Sequence, residues 1–254
     1  MGPRALILLT ASSLAAAGCV QTRQFADVEF QPPQGDYDLI VMRPYVSVGS
    51  ITTGGLVEPR EEWTERARAH IIEALREQQA GRGGRTMILE NRAGVQGMSE
   101  QQVADLERLF QAVGSAIAVH RYARVTLPTK RRGLDWTLGE DAVAFGRATG
   151  MDYALFLQAE DAHASSGRTA IQVLGIVGCV IGFCAPQAGA GQSAFASLVD
   201  LRTGEVVWFN VLQAGSQLPG VAFGDLRTRE GAAQMVERLI GRMRAGRNVR
   251  NRSD

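Results

Sequence analysis

The spacing of apolar and polar positions changes several times along the 254 residues, and each change predicts an element. Residues 37–42 (YDLIVM) form a compact apolar run closed by Arg43-Pro44, which predicts a buried strand followed by a break. Residues 45–58, rich in Gly, Thr and Ser, read as a loop. From Glu61 the period lengthens: Trp63, Ala67, Ile71 and Leu75 recur every four residues with Glu and Arg between them. That is an amphipathic helix, with Pro59 near its start and Gly81, Gly83 and Gly84 to stop it. Residues 86–90 (TMILE) predict a short strand. Ser99 and Gln102 have capping-box spacing ahead of Val103, Leu106, Phe110, Val113 and Ile117, a second helix reaching about Tyr122. Residues 125–127 read as a short strand, and Lys130-Arg131-Arg132 as a solvated turn. Thr137 and Glu140 repeat the capping spacing before a short helix that ends at Gly150.

The second half is strand-rich. Residues 152–158 (DYALFLQ), 169–177, 193–200 and 205–212 (EVVWFNVL) each read as strands. The last two are joined by Asp200-Leu201-Arg202-Thr203-Gly204, a hairpin turn in which Gly204 is free to take a positive φ. A final helix over about 228–244 places Ala232, Val236, Leu239, Ile240 and Met243 on one face. The order β-α-β-α-α-β-β-β-β-α predicts an α/β (α+β) fold: a mixed sheet flanked by helices, with an apolar Gly-rich insertion between two late strands. No internal repeat is visible, and one domain over residues 36–245 is expected.

Composition narrows the class. The formal charge is +1, with 45% apolar and 21% charged residues, which excludes collagenous, polytopic-membrane and wholly disordered chains. The balance gives no reason to expect nucleic acid as a partner. All but one of the 27 basic residues are Arg, so an amine nucleophile or phosphate-loop lysine would have to be Lys130. No G-x-S-x-G or G-x-x-x-x-G-K-[ST] motif occurs, and no cofactor is expected.

The N-terminus supplies an address. Arg4 precedes a short apolar stretch, and Ala16-Ala17-Gly18-Cys19 resembles the lipobox of bacterial lipoproteins, although Ala16 stands where Leu is usual. The stretch is too short for a permanent span. Residues 1–18 therefore read as a lipoprotein signal peptide, and Cys19 as the residue that carries lipid. By the same resemblance, Val20 after the cysteine implies the outer membrane, with the body in the periplasm. Residues 19–35, polar with two prolines, are expected to form a flexible tether, and residues 246–254 a disordered Arg-rich tail. Six Arg and no acidic residue lie between positions 238 and 252, a solvated basic end or a contact for anionic lipid or an acidic partner.

The strand–helix order, with DYALFLQ and LVDLRTGEVVWFN as its most specific segments, resembles the CsgG/TolB-N/LpoB group of bacterial envelope lipoproteins and periplasmic modules. That resemblance implies an α/β fold and a place in the envelope. It leaves open whether the chain is a secretion-channel subunit or a binding partner of another envelope protein.

Two segments carry candidate chemistry. Glu160, Asp161 and His163 cluster at the end of a predicted strand, and Asp161 and His163 would share a face if the strand continued. His70, on a helix, and His120, near a helix end, read as surface and capping residues. The second segment, residues 169–199, holds no charge, and residues 173–185 (VLGIVGCVIGFCA) are wholly apolar. It reads as sheet core, as a membrane- or partner-docking element through Val173, Leu174, Ile176, Val177, Val180, Ile181 and Phe183, or as a barrel hairpin. The lack of alternation argues against the last. Cys179 and Cys184 are a candidate disulfide in an oxidising compartment, or two buried thiols.

The expectation is a non-catalytic, lipid-anchored outer-membrane protein that binds a protein partner in cell-envelope assembly. The alternatives are an oligomeric export component of the CsgG type and a periplasmic enzyme using Glu160, Asp161 and His163.

Overall fold

The computed structural model describes residues 21–26, 37–80, 84–122, 127–130, 134–165, 167, 191–215, 224–241 and 243. Its strands are β1 (Gln21–Ala26), β2 (Leu39–Val41), β3 (Tyr45–Ile51), β4 (Val57–Pro59), β5 (Thr86–Ile88), β6 (Tyr153–Ala164), β7 (Gly191–Asp200) and β8 (Val206–Gly215). Its α-helices are α1 (Glu61–Gln79), α2 (Glu100–Tyr122), α3 (Gly139–Thr149) and α4 (Arg229–Ile240). The strands form one mixed sheet of order β1-β8-β7-β6-β2-β5, with β3 beside β6 and β4 beside β3. The expected α/β class, a mixed sheet flanked by helices, is what the chain adopts.

β6 is the axis. One edge pairs antiparallel with β7 from Tyr153 opposite Asp200 to Asp161 opposite Gln192. The other edge is shared: Tyr153, Ala154 and Leu155 pair with β2, and Gln158 onward pairs with β3, both parallel. β2 and β3 are successive lengths of one path, interrupted at Arg43-Pro44. Proline has no N–H to give a ladder, which explains the interruption.

Both faces of this sheet are covered, so its central strands read as continuous apolar runs rather than alternating ones. On one face Leu39, Val41, Leu155, Leu157 and Trp208 pack with Ala67, Ile71 and Leu75 of α1 and with Ala232, Met235, Val236 and Leu239 of α4. On the other, Ile40, Met42, Ala154, Phe156 and Phe209 pack with Leu106 and Phe110 of α2 and Phe145 of α3. Phe110 stacks on Phe156 with ring centroids 4.4 Å apart, and Phe195 stacks on Phe209 at 5.6 Å. Asn210, fully buried on β8, donates at 2.6 Å to the Leu239 carbonyl at the end of α4. That bond satisfies a carbonyl which the helix itself leaves open.

Local signals held in several places. Ser99 and Gln102 form the reciprocal cap: the Ser99 N–H donates to Gln102 Oε1 at 2.8 Å, and the Gln102 N–H to Ser99 Oγ at 3.2 Å. Gly204 takes φ 76° at the β7–β8 turn, and a Cβ there would lie 2.5 Å from the Gly139 carbonyl oxygen. Thr228 caps α4 by accepting from the Gly231 N–H at 3.1 Å.

Other readings are corrected. Residues 45–58 are not a loop but the β3–β4 hairpin, because β6 offers β3 an open parallel edge over seven register pairs. The tether expected over residues 19–35 contains β1, which extends the sheet along β8 from Gln21 opposite Gln213 to Ala26 opposite Trp208. Thr137 does not cap with Glu140: its hydroxyl donates to the Gly204 carbonyl at 2.9 Å and accepts from the Gly139 N–H. The α3 helix accordingly starts after Leu138 with no side-chain cap. The predicted strand over 169–177, most of that over 125–127, and the 246–254 tail lie outside the described residues.

Truncating Phe156, fully buried at the centre of the α2/α3 face, should cost about 3–5 kcal/mol in the Phe156→Ala variant, read from urea denaturation midpoints. Gly204→Ala should also destabilise, since it adds both a positive-φ penalty and a backbone clash. An unchanged midpoint in Phe156→Ala would contradict this packing.

Candidate functional site

Asp161 and His163 lie two residues apart on β6 and point to the same side, toward the α1/α4 layer, as their spacing predicts. Glu160 points the other way, is exposed, and accepts from Gln158 Nε2 at 3.1 Å. The predicted trio is therefore divided. Its place is taken by Asp225, from the turn that leads into α4. His163 Nε2 lies 2.9 Å from Asp161 Oδ2 and 3.5 Å from Asp225 Oδ1. Asp161 is only 3% exposed, and its Oδ2 accepts the Leu226 N–H at 3.3 Å.

Two more groups close the cluster. Arg227 clasps Asp225 through Nε at 2.9 Å to Oδ1 and through Nη2 at 2.7 Å to Oδ2, while its backbone N–H donates to Oδ1 at 2.9 Å. Those hydrogen bonds to the Arg227 guanidinium hold the Asp225 carboxyl below the usual carboxylate range; burial opposes them, and the nearby His163 adds to the lowering. Trp63 of α1 meets His163 edge-on, with ring centroids 6.0 Å apart and planes at 88°. The Arg227 guanidinium lies 4.5 Å from the Trp63 ring centre, and Arg60 lies 5.9 Å from it.

One nitrogen and two carboxylate oxygens within 4.8 Å of one another form a donor set a divalent transition metal accepts. The charges favour a different use. Arg227 already sets one positive charge against the two carboxylates, so a dication would overshoot the single negative charge that is left. Asp225 already spends both oxygens on Arg227. The His163 Nε2 lies against Asp161 Oδ2 without an aligned hydrogen bond. The cluster acts as a clasp that ties the end of β6 to the start of α4 and to α1.

Of the remaining sequence candidates, His120, Lys130 and His70 lie among the described residues. His120 accepts the Leu127 N–H on Nδ1 at 3.3 Å, and its Nε2 lies 2.8 Å from the Lys130 carbonyl. Those contacts fasten the end of α2 to the following turn. Lys130 bonds the Asp135 carbonyl and lies 5.0 Å from the Trp136 ring centre, so its amine is committed. His70 is half-buried on α1. A cavity of about 210 Å³ opens where β2 gives way to β3, lined by Arg43, Arg68, Arg92, Glu107 and Phe156. In it Arg92 holds Glu107 Oε2 at 2.9 and 2.6 Å. Cys19, Cys179, Cys184 and the apolar positions Val173, Leu174, Ile176, Val177, Val180, Ile181 and Phe183 lie outside the described residues.

Asp225 and Arg227 were not singled out in the sequence, and Trp63 only as an apolar position of α1. Asp225 is more than 60 residues from His163 and sits in no recognisable motif, so no local signal could have found it.

No family model matches the chain, and no curated protein matches it in sequence. Among solved structures, a PelC variant dodecamer from Paraburkholderia phytofirmans is 12% identical, with a TM-score of 0.35, covering 87% of this chain and 98% of that one. A second PelC dodecamer from the same organism is 12% identical, with a TM-score of 0.33 over 87% and 96% of the two chains. The LpoB C-terminal domain from Salmonella enterica is 16% identical, with a TM-score of 0.27 over 73% and 88%. These are weak structural resemblances, and the functional reading below rests on the chain's own residues.

Because the folded carboxyl of Asp225 titrates below its unfolded value, its stabilisation is present above the unfolded pKa and fades as pH falls through the folded one. Asp225→Asn should therefore unfold at lower urea than the parent at pH 7, with the gap narrowing as pH falls through and below the ordinary carboxylate range. A gap independent of pH would remove the ionic clasp from the account.

Proposed function

We propose that this chain is a lipid-anchored protein of the outer membrane, without catalytic activity, whose periplasmic α/β domain binds a protein partner in cell-envelope assembly or maintenance. The observation that carries the reading is the N-terminal segment: a basic residue, a short apolar stretch, and Ala16-Ala17-Gly18 immediately before Cys19. The peptidase needs small residues there to bind an extended backbone closely, and the cysteine thiol carries the diacylglycerol. Two or more acyl chains on one residue anchor a soluble body firmly, which a single chain does not.

The non-catalytic part of the reading is supported by the state of the cluster that, among the described residues, most resembles catalytic machinery. Asp225 is clasped by Arg227, Asp161 takes a backbone N–H, and His163 is packed against Trp63. These groups hold one another rather than facing a substrate. Partner contact is assigned to the sheet edges and to the uncharged segment 169–199, whose apolar positions 173–185 exceed what a loop needs.

In cells given labelled palmitate, the parent chain should incorporate label and fractionate with the outer membrane. Cys19→Ala should lose both. His163→Ala should keep the cellular phenotype of the parent if the clasp serves structure alone. An unlabelled parent chain would overturn the anchor, and loss of phenotype in a folded His163→Ala chain would reopen the enzyme reading.

A further inference from the structure

The register of the sheet fixes which end of the domain a lipid on Cys19 would reach. Gln21, the first residue of β1, lies opposite Gln213 of β8, which lies opposite Ser193 of β7. Ser193 lies opposite Glu160 of β6, which pairs with Ser47 of β3. β1 therefore starts at the end of the sheet where β8, β6 and β3 finish. Position 19 is two residues before β1, within about 7 Å of the sheet by chain length alone.

The β3–β4 turn occupies that same end, on the far side of the sheet. Thr52 closes it by donating to the Leu56 carbonyl at 2.8 Å and accepting from the Gly55 N–H at 3.0 Å. Leu56 is 74% exposed and Val57 is 52% exposed, among only four large apolar side chains standing out of the described surface. No charge occurs from position 45 to position 57, so the turn presents apolar side chains on an uncharged tip. Counting strand spacings and rises, the tip stands about 24 Å across the sheet from β1 and about 15 Å beyond the level of Gln21, in the direction from which the chain enters β1. The opposite end, at the β7–β8 turn, is polar, with Arg202, Thr203 and Glu205 exposed.

We infer that the β3–β4 turn is a second membrane contact: Leu56 and Val57 insert into the phospholipid surface that holds the lipid of Cys19, so the domain stands on the bilayer at two points. The inference rests on the anchor proposed above. An anchor close to one sheet edge leaves the body free to pivot; an apolar tip on the other edge of the same end removes that freedom. Lipid suits the tip better than an anionic or cationic partner, because the tip has no charge to pair. The orientation leaves the β7–β8 end, with Arg202 and Thr203, facing away from the membrane.

The test uses the full lipidated chain in vesicles of phosphatidylethanolamine and phosphatidylglycerol. Leu56→Trp and Thr203→Trp are compared with the parent, whose three tryptophans set the baseline. Vesicles containing phosphatidylcholine brominated in its acyl chains should quench the added fluorescence of Leu56→Trp by about half or more and leave that of Thr203→Trp unchanged. Equal quenching at the two positions, or none at 56, would overturn the second contact while palmitate labelling still supports the anchor. A chain with no palmitate would sink both. Both positions are exposed, and matched urea midpoints would show that the substitutions leave the fold intact.

Discussion

The structure depends on one constraint, the hydrogen-bonded register of β6. This strand is 12 residues long and is paired along both edges, with β7 on one and with β2 and then β3 on the other. Its side chains alternate between the two layers: Leu155 and Leu157 face α1 and α4, while Ala154 and Phe156 face α2 and α3. A slip of one residue would exchange these sets and turn every core contact outward. The same alternation puts Asp161 and His163 on the α1/α4 side and Glu160 on the other, so the register that builds the core also builds the clasp.

The clasp shows how a buried carboxylate is accommodated. Asp161 is nearly inaccessible to water, and an isolated charge there would be costly. A backbone N–H from Leu226 and the imidazole of His163 meet it, and Asp225 is balanced in turn by Arg227. Breaking one member leaves another unpaired, which gives such networks their positioning value. Here they fix the lead into α4, the helix whose Met235, Val236 and Leu239 pack on one sheet face beside α1.

The two ends of the sheet are chemically unlike. One collects the start of β1 just after Cys19, the ends of β6 and β8, the apolar β3–β4 turn and the clasp. The other carries the polar β7–β8 turn, where Asp200 bonds the Arg202 guanidinium at 3.0 Å through Nε. Burial raises the Asp200 carboxyl, but the Arg202 hydrogen bonds and charge outweigh it and hold it below the usual range. Under the proposed anchor at Cys19, this asymmetry would give the domain one membrane-facing end and one free end.

Much of the fold was legible because the signals are local. The four-residue apolar spacing of α1, the Ser99–Gln102 cap, the glycine at 204 and the strand–turn–strand of β7 and β8 each follow from chemistry within a few residues. The strands that were missed had no such signal. β3 is a Gly- and Ser-containing segment that becomes a strand because β6 extends past β2 and offers it a parallel edge, and β1 is a polar segment that lies along β8. Hydrogen bonds with a distant strand decided both. The clasp divides in the same way: Asp161 and His163 share a face by the period of a strand, which sequence alone determines. Asp225, Arg227 and Trp63 join them only through the packing of α1 and α4 on the sheet, and contacts across such separations are fixed by tertiary structure.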